Sequence, residues 1–191
     1  MVKQKLIVIY GCHGAGKTTL AKNILLSDGE NLQELSNNFG KYTVSENKKY
    51  VAVGTYKIKC GGADRLKTVD SYFKMINFLI EKYPKSIIII EGAMFSTIFN
   101  TPLKHFLSLK YDKNIDVLIF LLYATLKTSY FRVIERSQKI PKFNVIEAKQ
   151  KRALNLINKF KQLQEFKTYI INTENKTTDE VYNEFRKTTI N

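Results

Sequence analysis

Short apolar runs alternate along the chain with longer stretches whose apolar residues recur every three or four positions. The runs at residues 6–10, 86–90, 115–122 and 168–171 are rich in β-branched side chains, which is typical of strands buried on both faces of a sheet. The longer stretches predict helices that begin at about residues 17, 66, 97 and 126, after the loop at 138–144, and at 178. Strands that alternate with helices predict an α/β fold, with a parallel central sheet and helices on both faces.

Three segments of the N-terminal half have a weaker pattern. Residues 42–44 and 50–53 favour β-structure and are separated by a polar stretch, which predicts a hairpin or a strand with an irregular partner. Residues 30–40 are interpreted as a short helix. Residues 54–64 contain three glycines and are predicted to form a loop.

A glycine-rich segment lies between the first predicted strand and the first predicted helix. Its sequence at residues 11–18, GCHGAGKT, matches the pattern G-x-x-x-x-G-K-[ST] in full, and the flanking elements make a chance match improbable. Backbone N–H groups of such a loop converge on phosphate oxygens, the lysine reaches the β- and γ-phosphates of ATP, and the threonine hydroxyl binds Mg²⁺. The predicted nucleotide-binding residues are Gly11, His13, Gly14, Ala15, Gly16, Lys17, Thr18 and Thr19.

A carboxylate follows the run of four isoleucines. Glu91 is expected at the carboxyl end of a buried strand, where open α/β sheets bind their ligands. It is predicted to bind Mg²⁺, directly or through water, or to polarise an acceptor hydroxyl. The alternative is a glutamate on a solvated loop.

The loop that follows the second β-region carries candidates for binding an acceptor. Asp64 is a candidate general base for a substrate hydroxyl, and Arg65 or Lys67 is positioned to hold an anionic group. Tyr56 is predicted to stack on a base. The alternative role for Asp64 is to cap the helix predicted to begin near residue 65.

Arg132 and Arg136 are spaced by one helical turn and lie off the apolar stripe of their helix. Two guanidinium groups there are predicted to close over a triphosphate and to stabilise the charge that develops at the γ-phosphoryl group. The loop around Pro141 is expected to act as a mobile lid. The alternative is a solvated pair bonded to Glu135 or to neighbouring acids.

The formal net charge is +14, which favours a polyanionic partner, and nucleic acid is the usual one. Part of this excess is explained equally well by AT-rich codon usage, since the chain is rich in Lys, Asn and Ile. The best candidate surface for a nucleic-acid backbone is a basic helix face, although such faces are usually only solvated. Its residues are Lys149, Lys151, Arg152 and Lys159.

Length, cysteine content and hydropathy narrow the possible classes. The 191 residues are predicted to form a single domain over positions 1–191. Two cysteines, Cys12 and Cys60, are too few for a disulfide-stapled secreted domain, and no Cys/His spacing predicts a zinc site. The apolar runs are too short to span a membrane, and the first ten residues do not resemble a cleavable signal. The expected location is the cytoplasm, or the host cytoplasm for a phage protein.

These motifs make the chain resemble the P-loop kinase superfamily, in its nucleoside, nucleotide and polynucleotide kinase branch. The resemblance implies a three-layer αβα P-loop NTPase fold with a helical lid, in which Asp64 activates the acceptor hydroxyl and lid arginines hold the phosphates. The run Gly54-x-Tyr56 leading to Cys60-Gly61-Gly62-x-Asp64, with Glu91-Gly92 downstream, looks like the bacteriophage 5-hydroxymethyluracil DNA kinases. Those enzymes phosphorylate the hydroxymethyl group of a modified base within DNA.

The sequence therefore predicts an ATP- and Mg²⁺-dependent kinase acting on a hydroxyl of DNA, with 5-hydroxymethyluracil as the expected acceptor. Two alternatives stay open: a small-molecule nucleoside or nucleotide kinase, and a non-catalytic nucleotide-dependent protein that binds nucleic acid. Either Asp64 or Glu91 is the general base, and Thr18 and Glu91 are the expected metal ligands. The predicted catalytic residues are Lys17, Asp64, Glu91, Arg132 and Arg136.

Overall fold

The computed structural model describes residues 3–57, 62–63, 66, 68–92, 98–137 and 140–189, which form seven strands and six helices. The strands are β1 (Lys5–Tyr10), β2 (Gln33–Asn37), β3 (Gly40–Val44), β4 (Tyr50–Val53), β5 (Ile87–Glu91), β6 (Asp116–Tyr123) and β7 (Lys167–Asn172). The helices are α1 (Lys17–Leu26), α2 (Val69–Lys82), α3 (Asn100–Tyr111), α4 (Leu126–Ser137), α5 (Phe143–Leu163) and α6 (Thr178–Thr189).

The strands form one sheet in the order β2-β3-β4-β5-β1-β6-β7, of which the last five are parallel. β1 lies at the centre, and Val8 pairs with Ile90 on one side and Ile119 on the other. Residues 6–10 are almost completely buried, as the continuous apolar run predicts for a strand covered on both faces. The predicted α/β fold with a parallel centre is confirmed.

Helices cover both faces of the sheet, and the alternation of side chains along β1 assigns each residue to a face. Leu6, Val8 and Tyr10 pack in a core with residues of α2, α3 and α5. Ile7 and Ile9 pack in a second core with residues of α1 and α6. The result is the predicted three-layer αβα arrangement.

The helix predicted at residues 30–40 is wrong, because this segment forms the edge strand β2. β2 and β3 are antiparallel and are joined by a tight turn, in which Asn37 Oδ1 accepts hydrogen bonds from the N–H groups of Phe39 and Gly40 at 2.9 and 3.1 Å. Glu34 Oε1 accepts hydrogen bonds from the N–H groups of Tyr56 and Lys57 at 3.0 and 2.9 Å. Pairing with β3 and these two contacts outweigh the weak local preference of the segment.

The β2–β3 turn lies at the same edge of the sheet as the carboxyl ends of the parallel strands. β2 is antiparallel to β3, and β3 is antiparallel to β4, so β2 points in the same direction as the parallel strands. The predicted pairing of residues 42–44 and 50–53 as a hairpin is confirmed by the β3–β4 ladder.

The helix predicted to begin near residue 65 begins instead at Val69. Its cap is Thr68, whose hydroxyl accepts a hydrogen bond from the N–H of Ser71 at 3.1 Å. The alternative role of Asp64 as a helix cap concerns a residue outside the described ranges and stays a prediction. Within the ranges given above, no helix is both long enough and apolar enough to cross a bilayer.

Candidate active site

The glycine-rich loop connects the end of β1 to the start of α1 and uses glycine where a side chain would not fit. Gly14 has a φ of 77°, and a Cβ atom there would lie 2.3 Å from the carbonyl oxygen of Ser129 in α4. Gly16 has a φ of 91°, and a Cβ atom there would meet nothing within 4 Å. The loop thus packs closely on α4 at Gly14 and leaves open space in front of the N-terminus of α1 at Gly16.

Lys17 is the first residue of α1 and is 8% exposed. Its ammonium group donates a hydrogen bond of 3.0 Å to the carbonyl oxygen of Cys12, within the same loop. The positive charge is therefore held over the loop, beside the open space at Gly16. That space, edged by backbone N–H groups and a helix N-terminus, fits a chain of phosphates.

Glu91 is brought to this loop by the pairing of β5 with β1, which places it opposite Ile9. It is 2% exposed, and its Oε1 accepts a hydrogen bond of 3.0 Å from the Thr18 hydroxyl. A buried carboxylate is not the solvated loop glutamate that was the alternative.

The donor set at this point fits Mg²⁺, which prefers oxygen ligands and keeps several of its waters. Thr18 supplies a hydroxyl and Glu91 a carboxylate on adjacent elements. No cluster of three or more His, Cys, Asp or Glu residues that could hold a metal occurs among the residues that the structure describes. Any Mg²⁺ at this point would take its remaining ligands from phosphate and water.

A cleft of about 580 Å³ extends from these residues towards the C-terminal part of the chain. The loop, Thr18 and Glu91 form one wall. Arg132 and Arg136 of α4 form the second, and the segment from Thr173 to Val181, after β7, forms the third. The size lies within the range of small-molecule sites, about 300–1,000 Å³.

Arg132 is fixed across this cleft by a forked contact. Its guanidinium donates hydrogen bonds to the carbonyl oxygen and the hydroxyl of Thr173 at 2.8 and 3.1 Å, and to the carbonyl oxygen of Gly14 at 3.4 Å. Arg136, one turn further along α4, is exposed and lines the same cleft. Both predicted arginines therefore face the space in front of the loop.

Glu174 anchors the start of α4 and with it the position of Arg132. Its carboxylate accepts hydrogen bonds from the Thr128 hydroxyl at 2.5 Å and from the Thr125 N–H at 2.7 Å. These contacts hold the pKa of Glu174 below its usual value, and the hydrogen bond from Thr128 has the largest effect. The charge is therefore retained at neutral pH, next to the N-terminus of the helix.

No family model matches the chain. Over 96 residues, half of the chain, it is 38% identical to a protein named 5-hmdU DNA kinase from Bacillus phage SP10. The matched part makes up only 15% of the length of that phage protein.

Solved structures match nearly the whole chain. A gluconokinase from Sinorhizobium meliloti 1021 matches with a TM-score of 0.52 and 10% identity, covering 96% of this chain and 90% of that one. A structure of the PezAT toxin–antitoxin system of Streptococcus pneumoniae matches with a TM-score of 0.55 and 18% identity, covering 96% and 78%. A deoxyadenosine kinase from M. mycoides with bound dCTP matches with a TM-score of 0.50 and 15% identity, covering 96% and 97%. The chain has the same three-layer αβα fold as these proteins.

This fold brings together most of the residues that the sequence proposed for phosphate and metal. Lys17, Thr18, Glu91, Arg132 and Arg136 all line the same cleft. The acceptor residues are a different case, because Asp64, Arg65 and Lys67 lie outside the described residues. The predicted stacking of Tyr56 on a base is wrong, since its ring is fully buried and its hydroxyl donates to the carbonyl oxygen of Val53 at 3.3 Å.

The residues of the predicted basic face of α5 have different surroundings in the structure. Lys149 is half-buried and its ammonium contacts the His13 ring, so it packs against the glycine-rich loop. Lys151 is exposed and bonded to Glu147 at 2.9 Å, while the ammonium of Lys159 lies 5.2 Å from the ring centre of Phe99. Lys151, Arg152 and Lys159 are all exposed, and their contact with a nucleic-acid backbone stays a prediction.

Sequence reasoning missed Lys149, Thr173 and Glu174 as parts of this site. Thr173 directly follows β7, so the rule that singled out Glu91 at the end of β5 would also have indicated it. No local signal indicates Lys149, because its role depends on how α5 packs against a loop more than 130 positions earlier in the chain.

Proposed function

We propose that this protein is an ATP- and Mg²⁺-dependent kinase that transfers the γ-phosphoryl group of ATP to a hydroxyl on DNA. The proposed acceptor is the hydroxymethyl group of 5-hydroxymethyluracil. One observation supports the kinase activity above all. Lys17, Thr18 and Glu91 lie together at one end of a cleft, and Arg132 and Arg136 line another wall of it. This arrangement places positive charge and metal-binding oxygens around one space.

The residues of the loop would bind and orient the triphosphate. Backbone N–H groups near Gly14 and Gly16 would contact phosphate oxygens, and the Lys17 ammonium would neutralise their charge. Arg132 and Arg136 would approach from the opposite wall and stabilise the charge that grows at the γ-phosphoryl group. Catalysis of this kind consists mostly of positioning and electrostatic stabilisation.

Thr18 and Glu91 would hold the Mg²⁺ ion. When bound, the ion neutralises phosphate charge and orients the phosphates for in-line transfer. Burial of Glu91 excludes water from its carboxylate, which strengthens its interaction with a cation. For the same reason, a substitution that removes the charge of Glu91 should weaken metal binding strongly.

The transfer joins the acceptor oxygen to the γ-phosphorus while the bond from that phosphorus to the bridging oxygen of ADP breaks. ADP leaves, and the proton of the acceptor hydroxyl passes to a carboxylate. Asp64 or Glu91 is the proposed recipient of the proton. Glu91 adjoins the loop of Asp64 through Gly62, since a Cβ atom on Gly62 would lie 2.0 Å from Glu91 Oε1.

Two observations support DNA as the acceptor. The net charge of +14 favours a polymeric anion, because a free nucleotide needs only a local positive pocket. The relative that is 38% identical over half of the chain is named a 5-hmdU DNA kinase and comes from a phage. A phage enzyme of this kind would meet its substrate in the host cytoplasm.

The test supplies three acceptors together with γ-labelled ATP and Mg²⁺: hydroxymethyluracil-containing DNA, plain DNA of the same sequence, and free nucleosides. We expect label only in the modified DNA, and digestion to nucleosides should release a phosphorylated base. Label at the 5′ end of either DNA would indicate a polynucleotide end kinase. Label on monomers alone would indicate a small-molecule kinase, and ATP consumption without any labelled acceptor would indicate a nucleotide-driven binding protein.

A further inference from the structure

A second cleft of about 350 Å³ lies at the same edge of the sheet, between the β2–β3 turn and the loop after β4. We call it the hairpin cleft. It lies within the size range of sites that hold a small molecule. Its lining includes Phe39, Thr55 and Gly62.

The hairpin cleft adjoins the proposed transfer site through Gly62. A Cβ atom on Gly62 would lie 2.0 Å from Glu91 Oε1 and 3.6 Å from the Thr18 hydroxyl. Glu91 and Thr18 in turn line the cleft of the glycine-rich loop. One thin wall therefore separates the hairpin cleft from the residues proposed to hold Mg²⁺ and the γ-phosphate.

Thr55 gives the hairpin cleft an unsatisfied polar group. The residue is 2% exposed, and among the described residues its hydroxyl oxygen has no hydrogen-bond partner. The nearby Thr43 differs, since its buried hydroxyl donates to the carbonyl oxygen of Gly54 at 2.9 Å. Buried hydroxyls in native proteins are nearly always bonded, so an unbonded one in a cleft wall indicates a partner supplied from outside the chain.

Phe39 gives the hairpin cleft an aromatic rim. It lies in the β2–β3 turn with 38% of its surface exposed, although it is one of the larger apolar side chains. The Asn37 side chain fixes the turn, and the Phe78 ring packs edge-on against Phe39 at 6.4 Å. A ring that is held in place and exposed on a cleft rim is suited to stacking on a planar ligand.

We propose that the hairpin cleft binds the acceptor base, a single pyrimidine turned out of the DNA stack, with Phe39 against its face and the Thr55 hydroxyl bonded to its edge. This inference rests on the proposed kinase function, and it identifies the hairpin cleft as the place where the protein recognises its acceptor. An enzyme that acts on a base must take it out of the stack, and a separate pocket beside the transfer site meets that need. Tyr56 is buried and does not fill this role.

The kinetic test uses Thr55→Val and Phe39→Ala, with a single-stranded hydroxymethyluracil oligonucleotide as acceptor. We expect the KM for the oligonucleotide to rise about tenfold in each variant, as the loss of one base contact predicts. The KM for ATP and the acceptor-independent hydrolysis of ATP should stay unchanged. Phe143→Ala, which removes an exposed phenylalanine of α5, is the matched control and should leave all three values unchanged.

Stability separates a binding role of Thr55 from a structural one. Valine has nearly the same shape, and the hydroxyl that it removes has no hydrogen-bond partner in the part of the chain that the structure describes. Thr55→Val should therefore raise the urea midpoint, or leave it unchanged, while acceptor binding weakens. A lower urea midpoint with an unchanged KM for the oligonucleotide would overturn the proposal.

A second measurement does not depend on catalysis. An oligonucleotide carrying a single 5-iodouracil is bound to the protein and irradiated, and the cross-linked peptide is identified by mass spectrometry. A cross-link within residues 37–41, lost in Phe39→Ala, supports the hairpin cleft even if no acceptor is phosphorylated. Cross-links confined to residues that do not line the hairpin cleft would reject it, whereas absence of transfer to hydroxymethyluracil DNA would reject only the kinase function proposed above.

Discussion

The Thr18 hydroxyl donates a hydrogen bond of 3.0 Å to the Glu91 carboxylate, and this contact joins the first turn of α1 to the end of β5. The two residues are 73 positions apart, and parallel pairing of β5 with β1 brings them together. Because the carboxylate is buried, water would screen its interaction with a cation at the Thr18 hydroxyl less than at the surface.

Replacing Glu91 with Gln should lower turnover about 10- to 100-fold, in line with the loss of a group that holds or orients a metal ion. Glutamine can still accept the Thr18 hydrogen bond, so the fold should persist, but the negative charge is gone. The measurement is turnover against Mg²⁺ concentration, and the variant should require more Mg²⁺. Glu81→Gln removes an exposed carboxylate bonded to Lys113 and should behave like the parent. An unaltered Mg²⁺ requirement in Glu91→Gln would contradict the assignment.

Alanine substitutions at Gly14 and Gly16 should have different effects. Both positions have positive φ, which costs alanine about 1–2 kcal/mol. At Gly14 the new methyl group would also lie 2.3 Å from a backbone oxygen of α4, so we expect a further loss of about 1–3 kcal/mol in the free energy of unfolding. At Gly16 it would enter open space and should chiefly weaken ATP binding. Urea titration and calorimetry with ATP measure the two effects, and equal stabilities would refute the packing argument.

Arg132→Lys should impair the enzyme nearly as much as Arg132→Ala, because lysine cannot reproduce the forked contact with Thr173. We expect about a 10-fold or greater loss in kcat/KM for ATP, since a phosphate-clamping arginine acts on the transition state. Thr173→Val alone should lower kcat/KM for ATP several-fold. When it is added to Arg132→Lys, it should lower kcat/KM little further. Arg152→Lys changes an exposed arginine of α5 and is the control. Additive losses in the double variant would show that the two residues act separately.

His105 should make stability depend on pH. Burial, and secondarily the positive charge of Lys113, lowers the pKa of His105 to about 4, and its ring stacks on Phe73 at 4.2 Å. An unfolded histidine binds its proton near pH 6.5, so between about pH 6.5 and 4 the unfolded state holds more protons. The stability contributed by this group is complete above pH 6.5 and is lost as the pH falls to about 4.

The free energy of unfolding should fall by about 1–2 kcal/mol through the titration of His105, after allowance for the partial exposure of its ring. His105→Phe keeps the stacking and cannot titrate. Urea unfolding at pH 7, 6, 5 and 4 should therefore show a smaller decline in the variant. Identical pH profiles would mean that other groups cause the acid sensitivity.

The central part of the fold could be predicted from sequence because its signals are local. The apolar run of β1, the glycine pattern and the start of α1 at Lys17 each follow from a few adjacent residues. The edge strand β2 could not be predicted in this way, since its polar sequence becomes a strand only by pairing with β3 and by the contacts of Glu34.

The same distinction applies to the candidate site. Glu91 was indicated by its place at a strand end, and the fold places it beside Thr18 as that rule implies. The contact of Lys149 with His13 and the anchoring of α4 by Glu174 depend on distant segments and leave no mark in the local pattern. The buried state of Tyr56 likewise depends on the packing of the whole layer, which its glycine-rich neighbours did not indicate.

The β2–β3 hairpin lies outside the parallel strands and is joined to them by the β3–β4 ladder and by the contacts of Glu34 with Tyr56 and Lys57. Its sequence can therefore vary, or be grafted from a related chain, while the machinery that handles ATP is left intact. Substrate choice in such a protein would evolve at the rim of the sheet, independently of the chemistry at its centre.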